Sequence, residues 1–205
     1  MSKKNHLEKN KDMSKKKYED YAVVLDFLAK GKQRPGDKVP LYAKEPIVQA
    51  VGESYFTLLE LIPYKFTTFS IRERIYIGKG DKRKKIDHVK KRITYDELTA
   101  SSKFELLAVI EKIIDQEENR FLNFFNKAKP ITTRMHQLEL LPGVGKKLMW
   151  DIINEVKKGY FTDFEDLKQR IGKLVDPKKI IAKRILIEIQ NENEKHRIFT
   201  RPPPG

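Results

Sequence analysis

The chain has 205 residues, with 43 Lys and Arg against 29 Asp and Glu, a formal net charge of +14 at pH 7 and a pI near 9.7. This excess favours a polyanionic partner, because basic side chains bound to phosphates release counterions. The same Lys-rich composition also occurs in heat-adapted proteomes, so composition alone favours nucleic acid only modestly. The absence of Cys excludes disulfides and thiolate-bound metals. With no signal-peptide core and no apolar run near the roughly 18 residues of a membrane span, we expect a cytoplasmic protein without a membrane partner.

Residues 1–18 and 19–95 differ sharply in composition. The first segment holds seven lysines and almost no apolar side chains. Because it buries too little surface to offset ordering, we predict a disordered basic tail. The second has the short apolar runs, Gly and Pro breaks and long basic connection (residues 29–46) of a small OB-like β domain. Its five predicted strands lie at 21–28, 47–51, 55–62, 74–77 and within 83–95, where the spacing also fits a helix.

Aromatic side chains and a dense run of cations make this β domain a candidate nucleic-acid surface. We expect one or two of six aromatics to be exposed for base stacking, and the others to lie in the core. The six are Tyr55, Phe56, Tyr64, Phe66, Phe69 and Tyr76. Residues 79–92, the basic segment, hold eight Lys or Arg. They fit a phosphate-tracking strip, with a lysine-protected edge strand as the alternative.

Residues 96–130 have the apolar spacing of helices and are predicted to form a helical linker. Capping patterns at Thr94 and Ser102 predict the starts of two successive helices. Beyond Pro130, Thr132 is predicted to cap a helix that runs to Leu140.

Residues 138–158 (LELLPGVGKKLMWDIINEVKK) contain a Pro-Gly-Val-Gly turn that predicts a binding site. Two glycines flank Val144, which lets the chain reverse sharply while this side chain still reaches the core. The backbone N–H groups from Gly143 to Lys146 lack helical partners and lie at the positive end of the next helix dipole. With Lys146 and Lys147 beside it, this first hairpin (residues 141–147) is predicted to bind an anion.

This stretch resembles the helix–hairpin–helix nucleic-acid-binding motif, in which hairpin amides bind a phosphate oxygen without regard to base. Residues 159–185 follow at the spacing of tandem modules, so 131–191 is predicted to be one such domain, followed by a C-terminal tail at 192–205. The second hairpin departs from the motif, since Asp176 fits an N-cap and Pro177 the first helical position. We therefore predict mainly a packing role for it.

The whole chain, from about residue 18 to 201, resembles a small archaeal family of uncharacterised proteins. The matching stretches are AVGESYFTLLEL, RIYIGKG, FFNKAKPITTRMHQLELLPGVGKK and DFEDLKQRI. The resemblance implies an N-terminal OB-like barrel and a C-terminal tandem helix–hairpin–helix module. Genes of this family tend to neighbour translation and ribosomal-RNA-modification genes, which implies a role with RNA.

Parts of the sequence also resemble motifs of two classes of enzyme. Residues 76–88 resemble half of the GIY-YIG nuclease motif, which implies catalytic roles for Tyr76, Arg83 and His88, yet the upstream half and a metal-binding Glu are missing. Helix–hairpin–helix glycosylases place a catalytic Asp roughly twenty residues beyond the hairpin, but Asp163 and Asp166 there fit helix capping instead. We therefore expect no catalytic residues, no metal site and no cofactor.

The sequence thus predicts an α+β protein, in which an N-terminal OB-like β-barrel is joined by a helical linker to an all-α tandem helix–hairpin–helix domain. Its predicted function is non-enzymatic nucleic-acid binding, with structured RNA (ribosomal or transfer RNA) narrowly favoured over DNA. The alternatives are a DNA-binding repair or recombination protein, a metal-dependent GIY-YIG nuclease and a protein-interaction adaptor. The predicted contacts are Gly143, Val144, Gly145, Lys146, Lys147, Lys79, Lys82, Arg83, Lys84, Lys85, Lys90, Lys91 and Arg92.

Overall fold

The computed structural model of the protein describes residues 18–32, 45–80 and 83–204. The predicted basic tail, apart from Tyr18, lies outside the described residues, as do residues 33–44 of the basic connection and Lys82 of the basic segment. No helix in the described ranges is long and apolar enough to cross a membrane.

Five strands form one curled antiparallel sheet. They are β1 (Tyr21–Leu28), β2 (Ile47–Gly52), β3 (Leu58–Pro63), β4 (Arg74–Tyr76) and β5 (Ile86–Arg92). Their order across the sheet is β4–β1–β2–β3–β5, so β4 and β5 are the two edges. The prediction of five strands is confirmed, including the choice of strand over helix within residues 83–95.

The central strands of the sheet are buried on both faces, which explains why their sequences are mostly apolar. Every residue of β2 and β3 is buried. One face, with Val23, Leu25 and Leu58, joins the core formed by the helices. The other face, with Val24 and Leu59, packs inside the curl of the sheet.

Five α-helices follow the sheet. They are α1 (Ala100–Gln116), α2 (Glu118–Lys127), α3 (Lys146–Lys158), α4 (Phe164–Arg170) and α5 (Pro177–Gln190). A small hairpin of β6 (Pro130–Thr132) and β7 (Met135–His136), followed by a 3-10 helix (Gln137–Leu140), lies between α2 and α3.

Two helix starts differ from the sequence prediction. α1 begins after Thr99, whose hydroxyl accepts the Ser102 N–H over 3.0 Å, so neither Thr94 nor Ser102 is its cap. The predicted cap at Thr132 is also wrong, because this residue ends β6. His136 caps the 3-10 helix instead. Several Ser and Thr residues match a capping pattern here, and only the packing of each helix selects among them.

One apolar core joins the sheet to the helices. Val51 of β2, Ile110 of α1, Ile152 of α3 and Ile181 of α5 belong to the same buried cluster. Segment 96–130, predicted as a linker between two domains, supplies much of this core through α1 and α2.

The C-terminal segment (residues 191–204) lies across this core. The ring of Phe199 packs against aromatic rings of α2. The fully buried carboxylate of Glu188 in α5 accepts three consecutive backbone N–H groups of the segment. The Arg201 N–H then donates to the Tyr55 carbonyl between β2 and β3. The segment therefore connects α5 to the sheet.

Candidate nucleic-acid interface

The first hairpin reverses the chain between the 3-10 helix and α3. The Val144 N–H donates to the Leu141 carbonyl over 3.0 Å, and both side chains are buried. Gly143 between them has a φ of +85°, in the left-handed region that favours glycine. The sequence therefore forms a tight turn in which the Val144 side chain reaches the core, as predicted, together with that of Leu141.

The same turn leaves several backbone donors without partners. α3 begins at Lys146 after Gly145, and no side chain of residues 18–32, 45–80 or 83–204 caps it. Within the described part of the chain, the N–H groups of Gly143, Gly145, Lys146 and Lys147 donate to no acceptor. These groups lie at or next to the positive end of the α3 dipole. The Val144 N–H, predicted to be among them, is used within the turn instead.

The corner is also open to solvent. A Cβ atom built on Gly143 or Gly145 would meet no atom of the described residues within 4 Å, apart from its two neighbours in the chain. Lys146 and Lys147 are exposed and form no ion pair with another described residue. Unpartnered amides are therefore followed directly in the chain by two exposed lysines, a combination of groups that can bind a phosphate oxygen.

A groove of about 360 Å³ borders this corner. Its lining includes Lys146, Met149 and Trp150 of α3 and Arg134 of the β6–β7 turn. The Trp150 side chain is 54% exposed, and an indole face of this kind stacks on unpaired bases. The sequence analysis did not identify this residue. The sequence does place Trp150 four residues after Lys146, on the same face of a predicted helix, and this spacing could have identified it as a neighbour of the hairpin.

The second hairpin has the same backbone hydrogen bond as the first but a carboxylate at the start of the following helix. The Leu174 N–H donates to the Ile171 carbonyl over 2.7 Å, and both side chains are buried. Asp176 then caps α5 and accepts the Lys178 N–H over 3.0 Å, as predicted. A carboxylate therefore occupies the start of α5, where the first hairpin has only backbone amides, and it takes up one of the amide donors there.

Arg83 and Lys85 of the basic segment are bound to other parts of the protein. Arg83 donates from Nε to the Gly78 carbonyl over 2.7 Å and from Nη1 to the Asp87 carbonyl over 2.9 Å. The Lys85 Nζ lies 2.5 Å from Glu73 Oε1. These two cations stabilise the connection between β4 and β5.

The cationic side chains of β5 also contact other parts of the protein. Lys90 Nζ lies 3.8 Å from Glu45 Oε2, and Lys91 pairs with Glu97. Burial opposes the ionisation of Glu97, but its hydrogen bond with Lys91 holds the pKa of that carboxyl below its ordinary value. Arg92 Nη2 donates to a carbonyl of the C-terminal segment over 2.5 Å. Three lysines of the basic segment are therefore paired with carboxylates within the fold, whereas Arg83 and Arg92 donate to neutral carbonyl groups and keep their charge.

Comparison with known proteins identifies the family. Residues 18–201 match the family described as proteins of unknown function, DUF655. The chain belongs to this family. It is 46% identical over 190 residues to the uncharacterised protein MJ0038 of Methanocaldococcus jannaschii, covering 92% of this chain and 83% of that protein. The crystal structure of Af1531 from Archaeoglobus fulgidus, of the same family, superposes with a TM-score of 0.81 at 50% identity, covering 89% of this chain and all of that chain.

Two of the six candidate stacking aromatics are exposed in this DUF655 protein. Phe66 is fully exposed and Tyr64 is 44% exposed, whereas Phe56 lies in the core. Phe66 also has a positive φ of 64°, which a bulky residue adopts only under local constraint. The loop after β3 therefore presents two aromatic side chains to solvent.

The Tyr-Ile-Gly sequence shared with GIY-YIG nucleases has a structural explanation in this DUF655 protein. Tyr76 Oη donates to the Lys79 carbonyl over 3.1 Å. A Cβ on Gly78 would come within 2.6 Å of both Asp20 Oδ1 and Tyr76 Oη, so a larger residue there would displace one or both of these side chains. Among the described residues, no group of three or more His, Asp and Glu could hold a metal ion.

Proposed function

We propose that this DUF655 protein is a non-enzymatic nucleic-acid-binding protein whose first hairpin binds a backbone phosphate. The observation that carries the proposal is the open corner of unpartnered amides beside Lys146 and Lys147. A phosphate oxygen accepts hydrogen bonds from such amides without regard to base identity. The net charge of +14 supports a polyanionic ligand.

The two hairpins support a tandem helix–hairpin–helix module over residues 131–191. Each closes with an i to i+3 hydrogen bond between buried apolar residues, and each precedes a helix. We further propose that the curled sheet is an OB-like barrel, in which β1 pairs with both β2 and β4. The exposed Tyr64 and Phe66 then contact unpaired bases beside it.

Structured RNA is the preferred ligand over DNA, by a narrow margin. This preference rests on the family resemblance, because a phosphate-binding hairpin does not distinguish the two polymers. Crosslinking in cells, followed by sequencing of bound RNA and DNA, tests it. Recovery of DNA alone would contradict the preference and leave the hairpin proposal intact.

The double variant Lys146→Ala/Lys147→Ala tests the hairpin directly. We expect weaker binding of a labelled RNA or DNA hairpin and a shallower dependence of log K on log salt, by up to about two contacts, because two ammonium groups leave the phosphate. Fluorescence anisotropy at several salt concentrations measures both quantities.

The matched control is Lys157→Ala/Lys158→Ala, which removes the same charge from the opposite end of α3. It should change the salt dependence less than the hairpin variant does. Equal effects from the two variants, or no effect from either, would remove the hairpin from the interface. Binding to a partner that persists at high salt and after nuclease treatment would favour the adaptor function instead.

A further inference from the structure

The groove beside the first hairpin runs between the β6–β7 hairpin and α3. Its α3 wall is formed by Lys146, Met149, Trp150 and Ile153. These residues are three or four positions apart, so they lie along one face of the helix over about two turns. Because Lys146 is the first residue of α3, the groove begins at the amide corner and continues along the helix.

Trp150 is the exposed aromatic side chain of this groove. Its indole is 54% exposed, and no ring or cation of the described residues contacts it. Side chains of a helix lean toward its N-terminus, so the indole covers the turn that begins at Lys146. A base stacked there lies about 5.4 Å, one helical turn, from the amide corner. The phosphate and the base of one nucleotide are separated by a similar distance.

The opposite wall of the groove contains a buried hydrogen-bond donor. His136 lines this wall, and its side chain is only 8% exposed. Because Nδ1 accepts the Leu138 N–H over 3.2 Å, the neutral imidazole carries its proton on Nε2. No described residue accepts a hydrogen bond from this nitrogen. A ligand with polar edges satisfies such a donor, whereas a purely apolar ligand leaves it unpaired.

Two cations and one carboxylate line the groove, namely Arg134, Lys146 and Glu139. Arg134 and Lys146 are exposed, and neither forms an ion pair with another described residue. Glu139 Oε2 accepts the His136 N–H over 2.8 Å. Its negative charge disfavours a phosphate beside it but can accept hydrogen bonds from the amino and imino groups of bases. The charges therefore favour a phosphate at the Lys146 end and an uncharged base within the groove.

We infer that this groove binds an unpaired nucleotide, with its phosphate on the first hairpin and its base stacked on Trp150. The inference rests on the proposed function, because the hairpin holds the phosphate. A base inside a continuous duplex already has a neighbour on each face, so it cannot also cover the indole. The protein should therefore require an unpaired nucleotide, in a single strand or beside a duplex, to occupy this groove.

Trp150 is the single tryptophan of the chain, so its fluorescence in the full-length protein reports directly on the groove. The three probes are an oligouridylate strand, a blunt RNA duplex and an abasic strand, which keeps its phosphates and lacks bases. We expect oligouridylate to quench the fluorescence, because a base stacks on the indole. The duplex and the abasic strand should bind without quenching. N-acetyltryptophanamide under the same conditions corrects for light absorbed by the RNA.

Three variants test the stacking contact. Trp150→Ala should weaken oligouridylate binding by about fivefold or more. It should leave the slope of log K against log salt unchanged, because no phosphate contact is lost. Trp150→Tyr, which keeps an aromatic face, should retain most of the affinity. The matched control Tyr160→Ala removes a 63% exposed aromatic ring beyond the other end of α3, and it should change the affinity less than about twofold.

Quenching by the abasic strand or by the blunt duplex would overturn the inference, and so would equal effects of Trp150→Ala and Tyr160→Ala on the affinity. A salt slope that falls in Trp150→Ala as far as in Lys146→Ala/Lys147→Ala would also overturn it, because Trp150 would then only hold the hairpin in shape. Thermal unfolding checks that each variant is folded, and quenching in the wild-type protein decides the matter where Trp150→Ala is not.

Failure of the groove and failure of the hairpin give different results. Binding of oligouridylate without quenching, with a salt slope that still depends on Lys146 and Lys147, would overturn the groove assignment alone. A wild-type protein that binds none of the three probes would overturn both the proposed function and this inference.

Discussion

Two glycines in the first hairpin have different structural roles. Gly143 has a φ of +85°, whereas Gly145 has a φ of −86°. A left-handed backbone costs a residue with a side chain about 1–2 kcal/mol, while the backbone of Gly145 is open to any residue. Neither position restricts a methyl group sterically. The difference between them is therefore one of backbone conformation.

Alanine substitutions separate these roles. Gly143→Ala should lower the free energy of unfolding by about 1 kcal/mol, because the new Cβ strains the left-handed turn. Gly145→Ala should lower it by about 0.5 kcal/mol or less, the cost of a poorer N-cap residue. Urea unfolding measures both. Equal losses at the two positions would contradict the assignment of the turn geometry to Gly143.

At the scale of elements, the 3-10 helix before the first hairpin is capped by a histidine. His136 Nδ1 accepts the Leu138 N–H over 3.2 Å, and the Glu139 carboxylate accepts the His136 N–H over 2.8 Å. Burial lowers the pKa of His136, and the charge of Glu139 opposes this only in part. The neutral imidazole is therefore the form that the folded protein favours.

Stability should consequently depend on pH through this residue. Above the ordinary histidine pKa, near 6.5, neither state is protonated. As the pH falls below that value the unfolded chain binds the proton first, so the free energy of unfolding decreases. His136→Asn keeps a capping acceptor that does not titrate. Urea unfolding at pH 7.5 and 5 should show a smaller pH-dependent loss in this variant, and an unchanged loss would contradict the role of His136.

The acidic partners of the basic segment cannot be read from the sequence of that segment. Its strand and its density of cations follow from the local sequence, but their acidic partners do not. Glu45, Glu73 and Glu97 come from three other parts of the chain. Because ion pairs depend on proximity in space, a run of lysines alone does not reveal which of them are already neutralised.

At the scale of the molecule, the C-terminal segment holds sheet and helices together through Glu188. This carboxylate is fully buried and accepts from Arg184 Nε over 3.0 Å, as well as from backbone N–H groups of the segment. Thr200 adds a hydroxyl donor over 2.9 Å. The buried charge is thus fully paired, and removing it leaves several donors without acceptors.

We therefore expect Glu188→Gln to lower the free energy of unfolding by about 3 kcal/mol, because it breaks a buried ion pair. The segment should also become more accessible, which limited proteolysis followed by mass spectrometry would detect. Glu192→Gln, at an exposed position of the same segment, is the matched control. A variant as stable and as resistant to proteolysis as this control would refute the central role of Glu188.

The sequence by itself determined the elements, because strands buried on both faces and helices with one apolar face each leave a local pattern. It also determined the first hairpin, since Gly143, Val144 and Lys146 act through the backbone and side chains of consecutive residues. Only the tertiary structure decided which residue caps α1, which lysines of the basic segment pair with carboxylates, and that a pocket lies between β4 and β5. The pair of Lys90 with Glu45 and the walls of the pocket join residues far apart in the chain, so they form only once the sheet curls. The α1 cap is a local contact, but several residues match a capping pattern and the packing of the helix selects Thr99.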